Sequence, residues 1–226
     1  LAVSAILALV LGFLLGFFKK VFHVDVDEKI LLIRESLPGA NCGGCGYPGC
    51  DAFAEAVASG EANPSGCTAG GKETADKVCA IMGVSANAVE TIAVLACQGS
   101  KDHAKSKGNY TGVETCRSAL LSSNGLKACE WACQGFGDCV AVCLFDAIHM
   151  GDDGLPHVDE AKCTGCGMCI IECPQNLLVH FNKTDKGAFA RCNNRNKTIP
   201  EILKSCTVGC FKCGKCVRAC KYDAIH

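Results

Sequence analysis

An α+β chain that opens with a membrane-spanning helix and then rests on a cysteine framework, not on one large apolar core, is the fold class this sequence predicts. Three observations carry that reading. The opening run LAVSAILALVLGFLLGFF has 18 residues without a charge and is followed at once by Lys19 and Lys20. Cysteine supplies 21 of the 226 residues, while aromatic residues make up only 6 %. Most of those cysteines stand in closely spaced C-x2-C runs.

Taken in order, the apolar run is near the minimum length for a helix that crosses a bilayer. The two lysines behind it place the rest of the chain in the cytoplasm. A signal peptide is the competing reading, but FFKKVFHVDVDEK contains no small-residue cleavage site. Gly12 and Gly16 form a G-x3-G pair that would let a second apolar helix approach closely. The expected organisation begins with a transmembrane helix over 1–20 and a mixed-charge connector over 21–38 that ends in a turn at Pro38-Gly39. A four-cysteine module over 39–70 and a connecting α/β segment over 71–125 follow.

The module begins GANCGGCGYPGC and spaces Cys42, Cys45, Cys50 and Cys67 as C-x2-C-x4-C-x16-C. DAFAEAVASG, between the third and fourth cysteines, predicts a short helix, with Phe53 and Val57 four apart and Gly60 suited to the position after its end. GKETADKVCAIM predicts a helix, and NAVETIAVLAC a helix or a strand. Cys79 falls in an apolar helical pattern and is expected in the core.

Further on the chain repeats itself. KACEWACQGFGDCVAVCLFDAIH (127–149) aligns without gaps on KSCTVGCFKCGKCVRACKYDAIH (204–226). Between the copies CTGCGMCIIECP spaces Cys163, Cys166, Cys169 and Cys173 as 2-2-3, with Pro174 behind them. Neighbours that close suit a shared metal centre better than disulfides, and zinc sites usually pair two separated knuckles. The 2-2-3 run is the bacterial-ferredoxin signature, whose fourth cysteine ligates the other cluster. The cofactors expected are therefore [4Fe–4S] clusters, at least three and four or more if every motif is filled, in a reducing compartment. A bacterial 2[4Fe–4S] ferredoxin-like unit is expected over 126–185, and the first part of a second over 186–226.

Ligands follow from that pattern. Cys42, Cys45, Cys50 and Cys67 hold one cluster. Cys163, Cys166 and Cys169 hold a second, completed by Cys143. The reciprocal cluster takes Cys173, Cys133 and Cys139, with Cys129 standing in for the position that Phe136 occupies. Cys210, Cys213 and Cys216 form the last loop, with Cys220 free to serve a neighbour, and the natural chain is expected to continue into a further motif. Cys97, Cys116, Cys192 and Cys206 are candidates for one more cluster joining the two repeats.

His23, His103, His149, His157, His180 and His226 form no Cys/His ligand pattern and are read as surface or structural. There is no G-x-G-x-x-G fingerprint or P-loop, and no catalytic triad or carboxylate pair can be placed. The formal charge is −1, and each oxidised cubane with its thiolates adds about −2. Arg191, Arg195, Lys197, Lys204, Lys212, Lys215, Arg218 and Lys221 outnumber Glu201 and Asp223 in the last forty residues or so. They either balance cluster charge or form a docking face for an acidic redox partner. One Trp, three Tyr and no binding motif argue against nucleic acid.

The order of these features resembles the B subunit of the Rnf complex, an ion-translocating ferredoxin:NAD⁺ oxidoreductase. CQGFGDC and the extra VGCFKCGKC repeat are similar to its longer, clostridial-type form, and the likeness covers essentially the whole chain. Leu144 and Lys221 depart from ferredoxin motifs, where proline usually follows the fourth cysteine. The resemblance implies a cytoplasmic-membrane electron-entry subunit with no bond-making site of its own. It would take electrons from soluble ferredoxin and pass them to membrane and flavin- or NAD-binding subunits. Two other classes fit the same motifs: a relay subunit of a hydrogenase-like or heterodisulfide-reductase-like membrane oxidoreductase, and a non-redox metal-binding regulator.

Overall fold

The computed structural model describes residues 2–22, 27–85, 89–184, 189–222 and 225. His23, Asp223 and His226 lie outside the described residues. The chain opens with helix α1 (Ala2–Val21), on which Leu9 and Phe13 are each 74 % exposed. Among the described residues no helix is long and apolar enough to cross a membrane, which overturns the transmembrane helix expected over 1–20. Lys19 and Lys20 stand in the last turn of α1, so its uncharged stretch falls short of the about 20 apolar residues a spanning helix needs.

The segment expected as a mixed-charge connector contains α2 (Glu28–Ser36). Asp27 caps it, accepting a 2.9 Å hydrogen bond from the backbone N–H of Lys29. Ile30, Ile33 and Leu37 recur at helical spacing, and that stripe packs onto α3 (Cys50–Ala58) and α4 (Gly71–Met82). Gly83 ends α4 in the left-handed region at φ 70°. Ile33, Phe53, Val57 and Val78 form the small apolar core between the three helices, Ile33 at 0 % exposure. Cys79 is buried at the far side of α4, its sulfur 3.3 Å from the Ser65 hydroxyl. Ile33→Ala should cost about 2–5 kcal/mol, the usual range for truncating a fully buried aliphatic chain. Chemical denaturation of the metal-loaded chain would read it as an earlier midpoint.

A second unit is built from two strand pairs. β1 (Thr91–Leu95) runs antiparallel to β4 (Leu178–Asn182), with Thr91 opposite Asn182 and Leu95 opposite Leu178. β2 (Ile148–Met150) and β3 (Pro156–Val158) form the other pair. Thus β1, expected in the connecting segment, is the edge strand of the ferredoxin-like unit, and residues 96–128 loop out between that strand and the first cysteine loop. This loop carries α5 (Cys116–Ser123) and closes with a 2.8 Å hydrogen bond from Lys107 N–H to the Leu126 carbonyl. Two short helices, α6 (Asp138–Ala141) and α7 (Met168–Glu172), pack together beneath the strands. The chain continues through α8 (Ile199–Ser205) to α9 (Lys215–Ala219).

Candidate metal centres

The ferredoxin-like unit repeats one local design. α6, α7 and α9 each begin after a glycine in the left-handed region: Gly137, Gly167 and Gly214 at φ 82°, 80° and 68°. That backbone turn aims a cysteine-bearing loop at the helix start, and a Cβ there would be strained. After α6 and α7 the chain turns back through Asp146 and Asn176, at φ 49° and 50°. In each case a sulfur accepts from the N–H four residues on: Ala147 to Cys143 and Leu177 to Cys173, both 3.4 Å.

Four cavities follow from this layout, each lined by four cysteines. The first, about 330 Å³, is lined by Cys42, Cys45, Cys50 and Cys67. Asn41 shapes its entrance, accepting a 2.8 Å hydrogen bond from the N–H of Cys50 and so capping α3 from a distance. The second, about 360 Å³, is lined by Cys143, Cys163, Cys166 and Cys169. The third, about 400 Å³, is lined by Cys116, Cys133, Cys139 and Cys173. The fourth, about 340 Å³, is lined by Cys97, Cys129, Cys192 and Cys206.

The first two sets are those expected from spacing. The third and fourth exchange one member: Cys116 stands where Cys129 was expected, and Cys129 joins Cys97, Cys192 and Cys206. The cause is Asp138, the first residue of α6. Its carboxylate accepts from the backbone N–H of Cys116 at 2.9 and 3.1 Å, pinning the start of α5 beside Cys139. Phe136, at the position without a cysteine, packs its ring against Tyr110, 5.7 Å between centroids. Spacing alone offers two nearby cysteines for that place, and the acidic residue in GFGDC is the signal that separates them. Cys210, Cys213 and Cys216 precede or begin α9 and are exposed, and Cys220 is half-buried at its end.

All 21 cysteines are free thiols. Burial pushes Cys133 up to about 12, with Cys97 adding to it. Burial likewise takes Cys139 and Cys169 to about 12, each helped by the thiols around it. Four buried thiols near one another resist ionisation together, and only bound cations reverse that, so metal loading must release protons. Among the described residues no group of three or more Cys, His, Asp or Glu is arranged to hold a single metal ion. Zinc would draw its thiolates to within about 4 Å of each other, whereas a cubane is wider than one ion. The four-cysteine donor sets fit [4Fe–4S] clusters.

The cavities stand in series. Burial raises the pKa of Cys166 in the second, with Cys42 of the first adding to it, and burial raises that of Cys139 in the third, with Cys169 of the second adding to it. Cys97 of the fourth does the same to Cys133 of the third. The first junction is tight: a Cβ on Gly44 would lie 2.7 Å from the Cys166 carbonyl oxygen. Thr68 also donates to that oxygen at 3.4 Å. Phe145 and Cys166 pack on the three-helix core from the other side.

A row of four-thiol cavities on a ferredoxin-like frame defines an iron–sulfur protein of the electron-carrying class. The FeS model, an Fe-S cluster family, matches residues 37–69, and a 4Fe-4S binding domain model matches residues 155–178. The B subunit of the Na⁺-translocating ferredoxin:NAD⁺ oxidoreductase complex of Acetobacterium woodii is 42 % identical over 99 % of this chain and 67 % of its own length. The B subunit of the ion-translocating oxidoreductase complex of Methanosarcina acetivorans is 38 % identical over 100 % and 85 %. The B subunit of the proton-translocating ferredoxin:NAD⁺ oxidoreductase complex of Clostridium ljungdahlii is 39 % identical over 93 % and 74 %. The chain belongs to the family of Rnf complex B subunits.

Proposed function

We propose that this chain is the iron–sulfur relay subunit of a membrane-associated, ion-translocating ferredoxin:NAD⁺ oxidoreductase complex, taking electrons from soluble ferredoxin and delivering them to its partner subunits. The observation that carries this reading is the adjacency of the first three cavities, the first meeting the second at Gly44 and the Cys166 carbonyl and the second and third lined from one packed core. Bound [4Fe–4S] clusters supply one-electron chemistry, each cycling between two oxidation states. The protein supplies position and environment. Cys42, Cys45, Cys50 and Cys67 hold the first cluster; Cys143, Cys163, Cys166 and Cys169 the second; Cys116, Cys133, Cys139 and Cys173 the third. Cys210, Cys213 and Cys216 are assigned to a further cluster at the C-terminal motif, with Cys220 left to serve a neighbouring one. The buried walls keep water from the sulfurs, and backbone N–H groups such as those of Ala147 and Leu177 stabilise negative charge on them. Flavin and NAD⁺ chemistry falls to partner subunits.

Free thiols throughout fit the reducing cytoplasmic side, where soluble ferredoxin is met. Arg191, Arg195, Lys197, Lys204, Lys212, Lys215, Arg218 and Lys221 are all exposed and give the C-terminal face a positive field. An acidic ferredoxin would be steered there. The association rate measured by stopped flow should fall several-fold between low and physiological salt. A flat salt dependence would remove this face from the docking role.

The assignment as a whole is tested by anaerobic iron and acid-labile sulfide analysis with an EPR-monitored reductive titration. At least about 12 irons per chain, matched by sulfide and low-potential cubane signals, are expected. Zinc in place of iron, or only about four irons, would overturn the relay.

A further inference from the structure

The fourth cavity lies outside both matched family segments, 37–69 and 155–178, and its cysteines belong to no single motif. They come from four separate places: Cys97 just past β1, Cys129 ahead of the third cavity's loop, Cys192 after β4, and Cys206 at the end of α8. The fold nevertheless brings them together. The point that a Cβ on Gly99 would occupy is 3.5 Å from the Cys97 sulfur and 3.7 Å from the Cys206 sulfur. Two of the four sulfurs accept a backbone N–H hydrogen bond. Gly99 donates to Cys97 at 3.4 Å, and Cys210 to Cys192 at 3.3 Å. The backbone N–H groups of Trp131 and Val208 act on Cys129 and Cys206 in the direction that favours the thiolate, against the burial that raises both.

The remaining polar groups point to the sign of the occupant. The Trp131 indole N–H and the Asn194 amide N–H₂ both line this cavity and are buried without a hydrogen-bond partner. Asn194 is held in that orientation because its oxygen accepts from the N–H of Asn196 at 2.8 Å. The Lys127 side chain is buried beside the cavity wall, its ammonium donating to the Gly99 carbonyl at 2.6 Å. The Arg195 guanidinium stacks over the Trp131 ring at 4.8 Å. Among the described residues no carboxylate lines the cavity. Unpartnered donors and a buried cation are costly unless an anionic group with acceptor atoms fills the space. Thiolates with inorganic sulfide supply both the charge and the acceptors.

We propose that Cys97, Cys129, Cys192 and Cys206 hold a fourth [4Fe–4S] cluster, one that ties the end of β1 to the segment leading into the C-terminal motif. The proposal rests on the iron–sulfur reading of the chain given above. It extends the row of centres by one, since Cys97 and Cys129 share one packed core with Cys133 and Cys139 of the third cavity.

The test uses the full chain, purified anaerobically. Cys97→Ala with Cys192→Ala should lower iron and sulfide by about four each per chain, with the clusters of the first three cavities and of the C-terminal motif still loaded. Iron unchanged by that pair would overturn the fourth cluster and leave the relay standing, as would loss of zinc instead of iron. Absence of iron from the parent chain would overturn both. Because that variant removes two buried residues, a second variant leaves the site untouched. Cys210→Ser, Cys213→Ser and Cys216→Ser together alter only exposed positions of the last loop. Native mass spectrometry of this variant should show four [4Fe–4S] increments, and three would overturn the proposal.

Discussion

Converting Cys166 and Cys169 to alanine is expected to split the row of centres while leaving both halves loaded. The second cavity meets the first where the Cys166 carbonyl faces Gly44, and its Cys169 shares one packed core with Cys139 of the third. Iron should fall by about four per chain. Dithionite, a small diffusible reductant, should still reduce every remaining cluster. Reduced ferredoxin should reduce only the clusters on the side where it docks, because tunnelling rates fall steeply with distance and the gap is one full cavity wide. Freeze-quenched EPR would show part of the cubane signal missing after ferredoxin and restored after dithionite. Full reduction by ferredoxin at the parent rate would mean that the centres do not act in series.

The second large effect concerns which cysteine completes the third cavity. If Cys116 and Cys139 share one cluster, the double variant Cys116→Ala/Cys139→Ala should lose about four irons, no more than either single change. Cys129→Ala/Cys139→Ala should lose about eight, because its two residues line different cavities. The opposite pattern would return Cys129 to the third site. The hydrogen bonds from Cys116 N–H to Asp138 are the physical reason to expect the first outcome.

Much of this site is legible in the sequence where ligands are local. Cys42, Cys45 and Cys50 sit on one glycine-rich loop, and Cys163, Cys166 and Cys169 on another, so spacing alone groups them. The two-cluster logic carries Cys143 across to the second cavity and Cys173 to the third, and both line those walls. Spacing fails where a ligand arrives from a distant loop. Cys116 reaches the third cavity through a contact with Asp138 that no periodicity encodes, and its displacement of Cys129 is what fills the fourth. The edge strand β1 is equally hidden, because its partner β4 lies more than eighty residues away and only register reveals the pairing. The connector before residue 38 conceals α2, whose apolar stripe is only three residues long among charges. The apolar N-terminal run promises a membrane crossing that α1, with Lys19 and Lys20 in its last turn, is not long and apolar enough to make.

The way the cavities draw on the chain also sets an order of maturation during synthesis. The first is complete as soon as residue 67 has left the ribosome, and its three-helix support needs only α4 to follow. The second and third share ligands across the ferredoxin-like unit and wait for Cys169 and Cys173, respectively. The fourth needs Cys206, more than a hundred residues after its first thiol, Cys97. Until then Cys97 and Cys129 are open to stray metal or oxidant, and long-range closure of this kind is slow. Damage during biogenesis should therefore concentrate at that late-closing end, with the N-terminal centre the last to be lost.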